Sequence, residues 1–265
     1  MARPAWVVPV KPERIGIVGA LRWEIRGVLK QLDSRRRLPV NALCLWEGDL
    51  GSRAVVVAQC GIGRVHAERA LSVLVDRFHL SALLCIGFCG ATCKTYRPGD
   101  VVLCSAVHSG EEIAARAEWE RGESIESDKE LIQLGADVLR SAGIPFHVAV
   151  GLTVPRVIHD PDTKAYLGET LKVNVLDMES YWIARRARGR AGRVLMARAV
   201  SDAVSQSIPG LTQALGVRPQ VGFGDTALEL LRLPRQAAAF LHLARGARKA
   251  ARNLGAFVPA FVRRL

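Results

Sequence analysis

Val175-Leu176-Asp177-Met178-Glu179-Ser180 is a short apolar run that stops abruptly at acidic residues, and Arg198-Ala199-Val200-Ser201-Asp202 repeats the pattern some twenty residues later. A buried strand that ends this way delivers a carboxylate to the carboxyl-end crevice of an α/β sheet, where ligands bind. Two acids brought to one crevice can divide a reaction, one holding substrate and the other moving a proton.

Similar strand ends recur outward from these two. Arg14–Val18 is a β-type run that ends in Gly19-Ala20, with Glu24 one turn further on and a helix-compatible stretch from Leu21 to Leu32. Leu43–Leu50 and Ala54–Ala58 read as a hairpin pair. Gly61-Ile62-Gly63-Arg64 opens an amphipathic helix over Val65–Phe78, and Ala82–Ile86 is a buried strand ending in Gly87-Phe88-Cys89-Gly90. Glycine turns of this kind let backbone approach a ligand closely. Further strands are expected at Val101–Val107, Pro145–Leu152, Val173–Leu176 and Val194–Val200, and helices at Asp128–Ala142, Lys164–Thr170 and Ser180–Arg188. The charged stretch Glu111–Ser127 reads as a surface excursion. Strands alternating with helices argue an α/β fold, a three-layer α/β/α sandwich around a twisted mixed, largely parallel sheet. Beyond Pro209 the chain turns helical, with a break at Pro234 and a basic amphipathic helix over Ala237–Leu254. The expected organisation is an α/β domain over residues 1–233 and a helical C-terminal extension over 234–265.

Composition is consistent with this. The chain has 265 residues, 49% of them hydrophobic, and a mean hydropathy of +0.15, enough for a substantial core. No apolar run reaches the roughly 18 residues that span a bilayer. Met1–Pro12 holds only a short apolar patch broken by Pro9 and does not read as a signal peptide, so a cytoplasmic location is expected. Six cysteines lie mostly within apolar runs and without paired CxxC or His clusters, so they read as buried hydrophobes and no metal is expected. The net charge is +12, and from Leu230 to Leu265 eight basic residues occur with no acid. Such a tail either is a solvated helix face or meets an anionic surface. Phe240, Leu241, Ala244, Phe257, Val258, Phe261 and Val262 beside it would either pack on the core or a second subunit, or rest at a membrane interface. It lacks aromatic or zinc motifs for nucleic acid, and no nucleic-acid partner is expected.

The segments IGIVGALRWEI, GIGRVHAERAL, IGFCGATCKTYRPGDVVL, VLDMESYWIA and RAVSDAV occur in the order found in the nucleoside phosphorylase/nucleosidase superfamily, which the chain resembles from about Arg14 to Pro209. It looks most like the 5′-methylthioadenosine/S-adenosylhomocysteine nucleosidase branch. Its C-terminal portion is similar to hopanoid-associated members, which implies an adenosylhopane-like substrate. The resemblance implies a purine nucleoside phosphorylase-like fold, a homodimer, no cofactor, and a small nucleoside as substrate. It implies that Asp202 protonates N7 of the departing purine, Glu179 with Met178 holds the ribose hydroxyls, and Glu24 activates the attacking water. Substrate-binding positions follow at Ser201, Gly87, Phe88, Cys89, Gly90 and Ile62, and at Val157 and Ile158, which lack the aromatic usual in that segment. Cys85 stands where a phosphorylase carries Arg, and Glu24 would repel phosphate, so water is the expected attacker. Arg22, Arg26 and Arg64 keep phosphorolysis as the alternative. A non-catalytic nucleoside-binding protein is the rival of another class, disfavoured because all three carboxylates are present. Phe88 replaces a serine of the nucleosidase pattern and makes the site more apolar.

Overall fold

Strand β1 (Glu13–Gly19) lies at the middle of the sheet, parallel to β4 (Arg53–Gln59) on one side and to β5 (His79–Ala91) on the other. The computed structural model describes residues 11–40, 43–113, 118–207 and 234–265, with side chains of the last segment described from residue 242. Its helices are α1 (Arg22–Leu29), α2 (Arg64–Arg77), α3 (Lys129–Ser141), α4 (Pro161–Leu171), α5 (Ser180–Ala187) and α6 (Pro234–Arg264). Most of them fall where turn residues and apolar periodicity place them. Asp128 and Asp160 cap α3 and α4 by accepting from Leu131 N and Thr163 N, as short polar residues before a helix do.

The expected three-layer sandwich is present. Alternation along the strands sends Val18, Leu83, Cys85 and Met196 to one face, where α2 and α5 cover them with Leu71, Leu74, Ile183 and Ala184. Ile17, Leu84, Ile86 and Leu195 face the other way, under Ile25 and Leu29 of α1, Leu131 and Leu139 of α3, and Phe257 and Phe261 of α6.

Three features depart from the local reading. Residues 33–38 form an additional edge strand, β2 (Asp33–Leu38), paired antiparallel with β3 (Cys44–Leu50). Part of the stretch expected as a surface excursion is a strand, β7 (Glu118–Glu126), paired with β6 (Val101–Ile113). Its side chains are mostly charged and exposed, so it carried no apolar alternation to read. Strand β5 also runs 13 residues, past Gly87 and Gly90, because its carboxyl half has a second partner. That half pairs with β10 (Ala191–Asp202) in parallel and with β9 (Val175–Asp177) antiparallel. β9 continues through β8 (Phe146–Thr153) and β6 back to β10. Five strands therefore close into a ring at one side of the sheet, while β1, β4, β3 and β2 leave it open at the other. Parallel ladders join β4, β1, β5 and β10; antiparallel ones build the open edge and help close the ring.

Helix α6 covers the expected extension. Phe257, Val258, Phe261 and Val262 are fully buried, so the core-packing alternative for this face is the one realised. Its basic residues Arg245, Arg248, Arg252, Arg263 and Arg264 face solvent. Phe240 and Leu241 lie outside the residues whose side chains are described, and Pro209 and the Trp6–Val10 patch lie outside the described residues. No helix among the described residues is long and apolar enough to cross a membrane. Gly27 of α1 and Gly255 of α6 meet backbone to backbone: a Cβ on Gly255 would lie 2.9 Å from Gly27 Cα. This contact seats α6 beside the helix that carries Glu24.

Candidate active site

The carboxyl ends of β1, β5, β9 and β10 meet where the ring closes, and they surround a cavity of about 160 Å³. Glu24, Glu179 and Asp202 all line it, although they are separated by up to 178 positions in the chain, and each is at most 5% exposed. Met178, Ser201, Phe88, Cys89, Gly90, Val157, Ile158 and Ile62 line it as well. Gly87 does not: it sits behind the wall, where any Cβ would run into the Arg198 guanidinium and the Glu24 carboxylate. Its role is to let those two groups approach the strand. Gly90 makes similar room for Asp202, whose Oδ2 would lie 2.9 Å from a Cβ there.

Glu24 is the third residue of α1 and reaches back to accept from Leu21 N at 2.8 Å, half of a capping box. Its other oxygen accepts from Phe88 N, also at 2.8 Å, so one side chain ties α1 to β5. Burial pushes its carboxyl above the usual range, opposed by Arg198 and by the N–H groups it accepts from. Glu179 follows β9 and accepts from Gly63 N at 2.8 Å. Burial raises its carboxyl to about 8, against the pull of Arg198. The thiol of Cys89 is likewise pushed up by burial and stays neutral.

Asp177, the first acid of the opening motif, has structural work. One oxygen accepts from Thr153 Oγ1 at 2.8 Å and from the backbone N–H groups of Glu179 and Ser180 at 3.0 Å. The other pairs with Arg198 at 3.0 Å. Arg198 is itself 1% exposed and donates to Ser180 Oγ at 2.8 Å. Its guanidinium lies 3.9 Å from Glu179. It therefore stands behind Asp177, Glu179 and Glu24, compensating charge that burial would otherwise expel. The other arginines considered for an anion site point elsewhere. Arg22 lies over Trp46 at 4.5 Å, Arg64 over Trp182 at 4.1 Å while paired with Glu68, and neither they nor Arg26 line the cavity. Trp182 thus stacks on Arg64 and edges against Tyr181.

Asp202 ends β10. Its Oδ1 accepts from Ser201 Oγ at 2.7 Å, and its Oδ2 is 2.5 Å from Nζ of Lys164, a side chain 1% exposed. Lys164 was legible only as the start of a short helix, since a lone lysine carries no signal of its partner. Leu243 and Ala247 of α6 also line the cavity. They were invisible for a different reason: nothing in a helix pattern says which strand end it will cover. The assembled cavity is lined by four buried carboxylates, Glu24, Asp177, Glu179 and Asp202, the two glutamates raised by burial, with one buried cation on the wall and otherwise largely apolar walls.

A family model described as the Phosphorylase superfamily matches residues 14–215 of this chain. The 5′-methylthioadenosine/S-adenosylhomocysteine nucleosidase of Exiguobacterium sp. is 25% identical over 201 residues, covering 73% of this chain and 86% of that protein. Its counterpart from Oceanobacillus iheyensis is 26% identical over 199 residues, covering 72% and 87%. Among solved structures, that nucleosidase from Neisseria meningitidis, in complex with methylthio-immucillin-A, superposes with a TM-score of 0.75 at 19% identity, covering 95% of this chain and 99% of that one. Native futalosine hydrolase of Helicobacter pylori gives 0.73 at 18% identity, covering 96% and 98%. These superpositions show the same fold.

Proposed function

The chain belongs to the phosphorylase superfamily, and from that premise we propose that it is a purine nucleosidase, hydrolysing the N-glycosidic bond of a 5′-substituted adenosine to release adenine. The observation that carries this reading is the convergence of Glu24, Glu179 and Asp202 on one buried cavity. Curated relatives named as nucleosidases over most of their length support it.

Cleavage of this bond builds positive charge on the ribose and negative charge on the base. Asp202 protonates N7 of the purine and relieves the second; Glu179, with Met178 beside it, binds the ribose hydroxyls. Glu24 takes a proton from the attacking water. Its raised carboxyl suits a base, because transfer is most efficient when donor and acceptor are matched near the working pH. The N–H groups of Leu21 and Phe88 hold it in position. Water is favoured over phosphate because Lys164 is the one cation on the cavity wall among the described residues, and it is already paired with Asp202.

The apolar lining, including Phe88, Leu176, Val154 and Leu243, suits a hydrophobic 5′-group. An adenosylhopane-like nucleoside of hopanoid biosynthesis is the extended form of this proposal. In this reading residues 1–233 supply the reacting groups, and 234–265 close the cavity from one side through Leu243 and Ala247. The homodimer and a cytoplasmic location belong to the same proposal on the strength of the resemblance. The test is adenine release in phosphate-free buffer from methylthioadenosine, adenosylhomocysteine, adenosine and an adenosylated lipid. Release is expected without phosphate, and D202N is expected to lose about 10²–10⁴-fold. Strict phosphate dependence, or full activity of D202N, would overturn the assignment.

A further inference from the structure

Lys164 lies in the first turn of α4, whose path is set by the Asp160 cap and by Pro161. Its side chain runs inward, and Nζ meets Asp202 Oδ2 at 2.5 Å and the Gln206 carbonyl at 3.0 Å. Burying such an ion pair carries a desolvation penalty for each ion, and an apolar pair of similar volume serves a fold as well or better. This pair is on the wall of the reaction cavity, beside the acid that must protonate the leaving base. An ammonium in hydrogen-bond contact with a carboxylate offers a proton that can pass directly between them.

Resting on the nucleosidase reading above, we propose that Lys164 is a positioning residue that supplies Asp202 with the proton it passes to the purine. As the C1′–N9 bond breaks, negative charge builds on the purine and N7 becomes the stronger base, which draws a proton through the Asp202 carboxylate. Nζ gives a proton to Oδ2, and Asp202 gives it to N7. The C1′–N9 electron pair moves into the purine as water attacks C1′ and loses a proton to Glu24. Asp202 ends as a carboxylate, Lys164 as a neutral amine and Glu24 as a neutral acid; after adenine leaves, Glu24 releases its proton to solvent and solvent reprotonates Lys164. The second bond, to the Gln206 carbonyl, holds Nζ in place, and Gln206 in turn accepts from Ala203 N at 2.7 Å, fixing the chain just after Asp202.

The experiment compares two probes with the full chain: methylthioadenosine, and the 4-nitrophenyl glycoside of 5-methylthioribose, whose nitrophenolate leaves without a proton. K164M is expected to lose about 10²-fold or more in kcat on the nucleoside, and less than about tenfold on the nitrophenyl glycoside. K164R keeps the charge but does not release a proton, and it is expected to show the same split. Equal losses on both probes would mark Lys164 as a structural prop and overturn the inference, as would nucleoside cleavage at the wild-type rate by K164R. Wild-type protein that cleaves neither probe would instead overturn the nucleosidase reading itself.

Discussion

Glu179 shows how a single side chain can be named from sequence and yet have its chemistry set by its surroundings. Its place after an apolar run marked it as a strand-end acid. That its carboxyl is raised from the ordinary 4.5 to about 8 follows only from burial, with the Asp177 and Glu24 charges adding to it and Arg198 opposing. A raised carboxyl means that the folded chain holds a proton the unfolded chain has lost. That contribution to stability is complete below pH 4.5 and disappears as pH rises through about 8. The melting temperature of the wild-type protein should fall across that window, by roughly 2–4 °C for each kcal/mol lost. E179Q should flatten the fall, since an amide mimics the protonated acid and still accepts from Gly63 N. A melting profile for E179Q as steep as wild type would contradict the assignment. Asp202 was equally legible as an acid, but its buried partner was not, because Lys164 is 38 positions away on another element.

Among the elements, α1 and α6 depend on each other. α1 carries Glu24 and lies against α6 through Gly27 and Gly255, and Gln31 Nε2 donates to the Gly255 carbonyl at 2.8 Å. A methyl group at Gly27 would be driven into the Gly255 backbone, so the helices must separate. G27A should cost about 1–3 kcal/mol in urea denaturation. It should also lower adenine release more than unfolding explains, because Glu24 moves with its helix. Stability unchanged from wild type would show that the helices can slide apart freely. The strands teach a related lesson. β5 was readable as far as Ile86, where continuous apolar residues stop. Its continuation to Ala91 depends on pairing with Val175 and Leu176, more than 80 positions later. β7 lacks an apolar face and exists because β6 offers it a partner.

For the molecule as a whole, the basic C-terminal helix is part of the core. Phe257 and Phe261 are fully buried, with ring centroids 5.5 Å apart, among side chains of α1, α3 and the sheet. F257A should cost about 3–5 kcal/mol by the same denaturation assay, as truncation of a buried aromatic does. A loss below about 1 kcal/mol would mean that the helix is dispensable to the core. The α/β class, the succession of most strands and helices, and the three carboxylates were determined by the sequence alone. Hydrophobic periodicity and turn residues act over a few positions, so they can be read locally. The closed ring of β5, β10, β6, β8 and β9, the Lys164–Asp202 pair, Arg198 behind the acids and the seat of α6 were decided only by the tertiary structure. Each joins groups far apart in the chain, and its energy comes from burial and pairing that exist only once the layers have packed.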